Sequence, residues 1–212
     1  MNNREGLEAF TKASTKYSRL RLLRVGHAAT FVVAVLVSSV FAQDWIEYVD
    51  RTDRFGVSLP AKPTVQETTY TSWRGAKLPA RIHSVRVGGS TYSVTVVNYE
   101  SDSKDITDIL GSIDFAAWNF RKRGGEVTFD AYEQMDRIPG HELHITNPDR
   151  SLTFAAINLY DRRLYILEAT VPPGAAPPQE FQQSLVILDA DGKRVRFELD
   201  ANGNRVSRVP NP

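Results

Sequence analysis

The stretch ARIHSVRVGGSTYSVTVVNY, residues 80–99, decides the fold. In its first half Ile82, Val85 and Val87 are apolar while Arg81, His83 and Arg86 are polar, the alternation of a half-buried strand. Gly88-Gly89 is a tight hairpin turn. Its second half is rich in β-branched Val94, Val96 and Val97 and reads as the returning strand. An antiparallel hairpin at this point makes the rest of the chain a search for its neighbours.

Immediately downstream the period changes. Ile106, Ile109, Leu110, Ile113, Ala117, Trp118 and Phe120 fall at spacings of three and four, one face of a helix over residues 105–123. Ser101, Asp102 and Ser103 offer N-caps, and Asp105 and Asp108 sit in the first turns, where the dipole favours anions. Arg121, Lys122 and Arg123 suit the last turn, and Gly124-Gly125 stops it. Upstream, residues 45–49, 55–59 and 65–72 read as strands, with Pro60 and Pro63 between the last two. Beyond the helix, residues 126–135, 141–146, 152–160 and 164–171 form a run of strands joined by short turns, an antiparallel meander. Residues 172–178 break the chain as a stiff connector, and residues 179–188 read as a short closing helix or helix-to-strand segment. The fold class expected is α+β: one central antiparallel sheet with helices packed on it, over residues 43–188.

The tail repeats itself. Leu188-Asp189-Ala190-Asp191-Gly192-Lys193-Arg194-Val195 recurs eleven residues later as Leu199-Asp200-Ala201-Asn202-Gly203-Asn204-Arg205-Val206. Asp-Gly and Asn-Gly favour tight turns, so residues 189–212 are expected as a β-hairpin extension. The Asp189-x-Asp191-Gly192 spacing lacks the late glycine and the Glu of a calcium loop.

Residues 1–42 have the layout of a secretory leader. Arg4, Lys12, Lys16, Arg19, Arg21 and Arg24 precede an uncharged stretch over residues 25–41, and Val40-Phe41-Ala42 sets small residues for a cut after Ala42. A periplasmic or extracellular place is expected. The alternative is an inner-membrane anchor, with membrane contact confined to residues 25–42. The chain carries 26 basic and 25 acidic residues, and removing the leader's six and two leaves 20 and 23, a net charge of −3. That balance points away from nucleic acid. The absence of cysteine removes disulfides and thiolate metal sites.

His141-Glu142-Leu143-His144 is the constellation nearest to chemistry. A zinc-protease motif needs its two histidines four apart on a helix. These are three apart on an expected strand, which sets Glu142 and His144 on one face and His141 and Leu143 on the other. A metal site would need a third ligand, and His83 is the remaining histidine outside the leader. The candidate binding residues are therefore His141, Glu142 and His144, with Trp73 as an exposed contact beside Tyr70. No catalytic residue, metal or cofactor is assigned. Gly111-Ser112 lies inside the expected helix, and Gly88-Gly89 and Gly124-Gly125 are explained as turns.

Several short motifs occur in a familiar order. Phe55-Gly56-Val57-Ser58-Leu59-Pro60, then Val94-Thr95-Val96-Val97-Asn98-Tyr99 before an acidic Ile106-Thr107-Asp108, then Pro139-Gly140-His141-Glu142, Leu164-Tyr165-Ile166-Leu167 and Phe181-Gln182-Gln183-Ser184-Leu185, together resemble the PsbP-like family, relatives of the extrinsic oxygen-evolving subunit of photosystem II. The resemblance covers residues 45–188 and implies an αβα sandwich and an accessory or scaffold role. The expected function is thus an exported, non-catalytic module that binds a protein or envelope component. The alternatives are a small-ligand carrier with a pocket between the helix and the sheet, and a metal-dependent enzyme using His141 or His144.

Overall fold

The computed structural model describes residues 45–101 and 108–207. The expected leader, the Ile106-Thr107 motif, the caps Asp102 and Ser103 and the first-turn Asp105 lie outside the described residues. Twelve strands and two helices follow in the order β1 (Ile46–Asp50), β2 (Phe55–Leu59), β3 (Thr64–Thr71), β4 (Lys77–Val87), β5 (Ser90–Asn98), α1 (Ile109–Arg121), β6 (Glu126–Met135), β7 (Ile138–Thr146), β8 (Leu152–Tyr160), β9 (Arg163–Val171), α2 (Gln179–Gln182), β10 (Val186–Ile187), β11 (Phe197–Leu199) and β12 (Arg205–Ser207).

The 80–99 hairpin forms as read. β4 pairs with β5 from Ala80↔Val97 to Val87↔Ser90, and Gly88 and Gly89 close it at φ 58° and 81°. Both signs are those of a type I′ turn, which L side chains adopt only at a cost. Around this hairpin the main sheet has seven antiparallel strands in the order β3-β4-β5-β9-β8-β7-β6. β3, β4 and β5 form one meander. The chain then crosses by α1 to the far edge and returns through β6, β7, β8 and β9, so that β9 closes on β5 over eight residue pairs.

Each face of this sheet buries its own core. On one face α1 lays Ile113, Ala116, Ala117 and Phe120 against Leu78, Val97, Tyr99, Leu143, Ile157 and Leu164. The helix starts at Asp108, whose Oδ1 accepts the Gly111 amide at 2.8 Å. On the other face Phe55, Val57 and Leu59 of β2 meet Val94, Val96, Tyr165 and Leu167, with Phe181, Leu185 and Ile187 beside them.

That second face corrects the expected fold class. It is covered by a three-stranded sheet, β1-β2-β10, so the described protein is a mostly β sandwich and not an α+β domain with helices on both faces of one sheet. The αβα arrangement implied by the PsbP-like resemblance is corrected with it. The physical reason lies in two segments. Residues 179–188 hold only a four-residue helix before turning into β10, too short to cover a sheet. The covering falls instead to β2, which is buried along its length because β1 and β10 flank it.

In the tail both repeat copies make the same turn. Asp189 Oδ1 accepts the amides of Asp191 and Lys193 at 2.9 Å each, and Asp200 Oδ1 accepts those of Asn202 and Asn204 at 2.8 Å each. The second turn joins β11 to β12. The first lies against the sandwich, with Val195 buried in its core. No helix among the described residues is long and apolar enough to cross a membrane.

Candidate functional site

Three polar constellations are built on this frame, and the candidate residues are divided among them. β7 alternates as read: Leu143 and Ile145 enter the helix-side core, and Ile138 enters the opposite one. His141 accordingly faces α1, while Glu142 and His144 face the other way. The two histidines therefore stand on opposite faces of the sheet and cannot share an ion. His83, on β4, is four strand spacings from β7, about 19 Å.

On the helix side, His141 is buried and its Nε2 meets Asp130 Oδ1 at 2.5 Å. Arg121 of α1 grips the same carboxylate through Nε and Nη2, each at 2.7 Å. This hydrogen-bonded guanidinium pulls the Asp130 pKa down to about 2, against a smaller upward push from burial and with help from His141. Tyr132, opposite His141 on β6, donates its hydroxyl to Asp114 of α1 at 2.7 Å. These pairs fasten α1 across β6 and β7. The basic helix end thus meets specific carboxylates, Arg121 on Asp130 and Arg123 on Glu168 at 2.7 Å, which one-dimensional reading assigned to the dipole alone.

On the other face a second lock holds the β1–β2 turn. His83, fully buried, meets Asp53 Oδ2 at 2.7 Å through Nε2, and its Nδ1 faces the Tyr48 hydroxyl at 3.1 Å. Arg81 reaches both Asp53 oxygens at 2.7 Å. Burial alone would raise the Asp53 pKa, but the hydrogen bonds from His83 and Arg81 outweigh it and hold it below the ordinary value. Tyr165 donates to the Asp53 and Arg54 carbonyls at 3.1 and 3.3 Å. Among the described residues, Asp50, Asp53 and His83 form a group with metal-ligand atoms within 4.8 Å of one another. The place a cation would take is filled by the Arg81 guanidinium, 3.6 Å from Asp50 and 2.7 Å from Asp53, so the cluster is an internal clamp.

The third constellation is open. Between β6, β7 and β8 and the segment holding α2 runs a cleft of about 390 Å³, lined by Glu133, Glu142, His144, Phe154, Ala156, Pro177, Gln179, Gln182 and Gln183. His144 bonds Glu142 Oε1 at 2.8 Å and is flanked by the rings of Phe129 and Phe154 at 4.9 and 4.8 Å. Burial, and then the charge of Glu142, raise the pKa of Glu133 above its ordinary value. The lining supplies no Lys or Arg to balance the two carboxylates, and no hydroxyl or thiol nucleophile.

Glu142 and His144 thus share one cleft, and His141 and Trp73 lie outside it. Trp73 is at the β3–β4 turn, beside the opposite edge of the sheet, 40% exposed and covered on one side by the Arg74 guanidinium at 4.3 Å. Glu133, Gln179 and Gln182 were missed because Glu133 comes from the neighbouring strand and the glutamines from a segment about 40 residues away, a contact that only the closed meander creates. The helix–sheet interface is filled by Ile113, Ala117 and Phe120, while Trp118 points outward at 49% exposure. Compared with known proteins, the chain matches no family model and no curated sequence.

Proposed function

We propose that this chain is an exported, non-catalytic binding module that takes a positively charged group of a protein or envelope component into the cleft beside α2. The observation that carries the reading is the pair Glu133 and Glu142 in a concave site with no Lys or Arg, where His144 meets Glu142 alone. Glu133, whose ionisation is made costly by burial and by the Glu142 charge, gains from an incoming cation that relieves both. The flanking Phe154 and Pro177 offer apolar contact to an aliphatic stem, and the three glutamines offer amide oxygens to an ammonium or guanidinium. The residue set suits binding, since His144 faces a carboxylate and two aromatic rings rather than a nucleophile. The expected leader and the resemblance of the motif order to PsbP-like accessory proteins support the same reading. The small-ligand alternative moves to this cleft from the helix–sheet interface.

Calorimetric titration with spermidine and with a lysine-rich peptide tests it. Binding is expected to weaken as salt rises, and Glu142→Gln is expected to weaken it roughly tenfold, the scale of one charge-assisted contact. Equal affinity in wild type and Glu142→Gln sinks the assignment of the cleft.

A further inference from the structure

The two edges of the seven-stranded sheet are built differently. β6 carries a bulge between Val127 and Phe129 and spreads Glu126, Asp130 and Glu133 along its length. Bulges and charges are the devices that keep an edge from pairing with another chain. β3 has neither protection in that measure. Its eight residues, TVQETTYT, stay in unbroken register with β4 from Thr64↔Ser84 to Thr71↔Lys77. Seven of the eight are exposed, none is Pro, Gly, Lys or Arg, and Glu67 is the single charge. Alternate residues of such a strand hold their N–H and C=O groups out to the side, ready for a further strand.

We propose that β3 pairs antiparallel with β3 of a second copy, about a two-fold axis normal to the sheet at Thr68. Symmetry and charge fix the register. An axis normal to the sheet keeps each face on its own side, so directly opposed residues must come from the same face and a residue must sit on the axis. Two centres, Glu67 and Thr68, keep seven of the eight residues paired. Centring on Glu67 sets two carboxylates against each other, which is destabilising. Centring on Thr68 sets Glu67 against Thr69, Gln66 against Tyr70 and Val65 against Thr71, with no like charges opposed. Val65 and Tyr70, the apolar members of the strand, then face β-branched and amide partners. The product is one continuous sheet of 14 strands, two copies of seven, whose remaining edges are the two protected β6 strands.

The absence of cysteine makes the test direct. Opposed α-carbons in an antiparallel pair lie about 4.5–5.5 Å apart, inside the disulfide range. Mild oxidation is expected to convert purified Thr68→Cys into a disulfide-linked dimer. Val65→Cys, also exposed, is the control: its own copy lies six positions along, about 20 Å away, and no link is expected. Light scattering supplies the second readout. Wild type is expected as a dimer, Thr68→Lys and Thr68→Glu each as folded monomers by circular dichroism, and their equimolar mixture as a dimer again. A monomeric wild type at every concentration, or equal crosslinking of the Thr68→Cys and Val65→Cys variants, overturns the proposal. Because it rests on the β3 edge alone, it stands or falls separately from the cleft.

Discussion

Glu133 and Asp130 sit three residues apart on β6, point to opposite faces, and carry opposite electrostatic histories. The Asp130 pKa is lowered from 3.8 to about 2, chiefly by the Arg121 hydrogen bond. A depressed carboxylate pKa contributes stability that is complete above the unfolded value and is lost as pH falls through the folded one. The stability gap between wild type and Asp130→Asn is therefore expected to be full at pH 6 and to close between about pH 4 and 2, read from urea unfolding. Glu133 runs the other way. Its pKa is raised from 4.5 by burial and by Glu142, so the ionised form costs stability above that value and nothing well below it. Glu133→Gln is expected to be more stable than wild type at pH 7, with the gain vanishing below about pH 4. The same variant is expected to lose affinity for a cationic ligand. A stability gain coupled to a binding loss separates a ligand-holding carboxylate from a structural one.

Turns are the elements where this fold stores strain. The β6–β7 and β8–β9 hairpins close on Asp136-Arg137 and Asp161-Arg162, all four at positive φ between 42° and 68°. The geometry is that of Gly88-Gly89 without the glycines. Arg162→Gly is expected to raise stability by about 0.5–1 kcal/mol, the left-handed strain it relieves less the entropy it adds to the unfolded chain. At the β1–β2 turn Tyr165→Phe removes the hydroxyl from the Asp53 and Arg54 carbonyls and is expected to cost about 1 kcal/mol by denaturant unfolding. The strands, the 80–99 hairpin and the long helix were legible because each is a local period. Residues 80–99 gave their turn and both strands, and the face alternation of His141 against Glu142 and His144 followed from the period of two. What covers the second face was not legible. Nothing local distinguishes β2 as a strand that extends a meander from β2 as a strand that lies across it; that depends on where Phe55, Val57 and Leu59 find a partner surface. The cleft failed for the same reason, since Glu142 and Gln182 meet only through the tertiary fold.

At the scale of the whole molecule, α1 and the small sheet are two independent covers on one sheet, and they should fail differently. Phe120→Ala opens a cavity in the helix-side core and is expected to cost about 3–5 kcal/mol. The change in midpoint measures it. Spermidine binding by the fraction still folded should be unaffected, since the cleft is on the opposite face. The pairing of β5 with β9 has a further consequence. Eight residue pairs join Thr91–Asn98 to Arg163–Thr170, and the helix-side core draws Leu78, Val97 and Tyr99 from before the crossover but Leu143, Ile157 and Leu164 from after it. Neither meander can close its hydrophobic interior alone. A nascent chain that delivers β5 must wait about 65 residues for its partner, several seconds at ordinary rates of synthesis. For the export proposed above, that delay would be an asset: a chain whose main sheet cannot close before its last long strand arrives stays open to threading through a narrow pore until then.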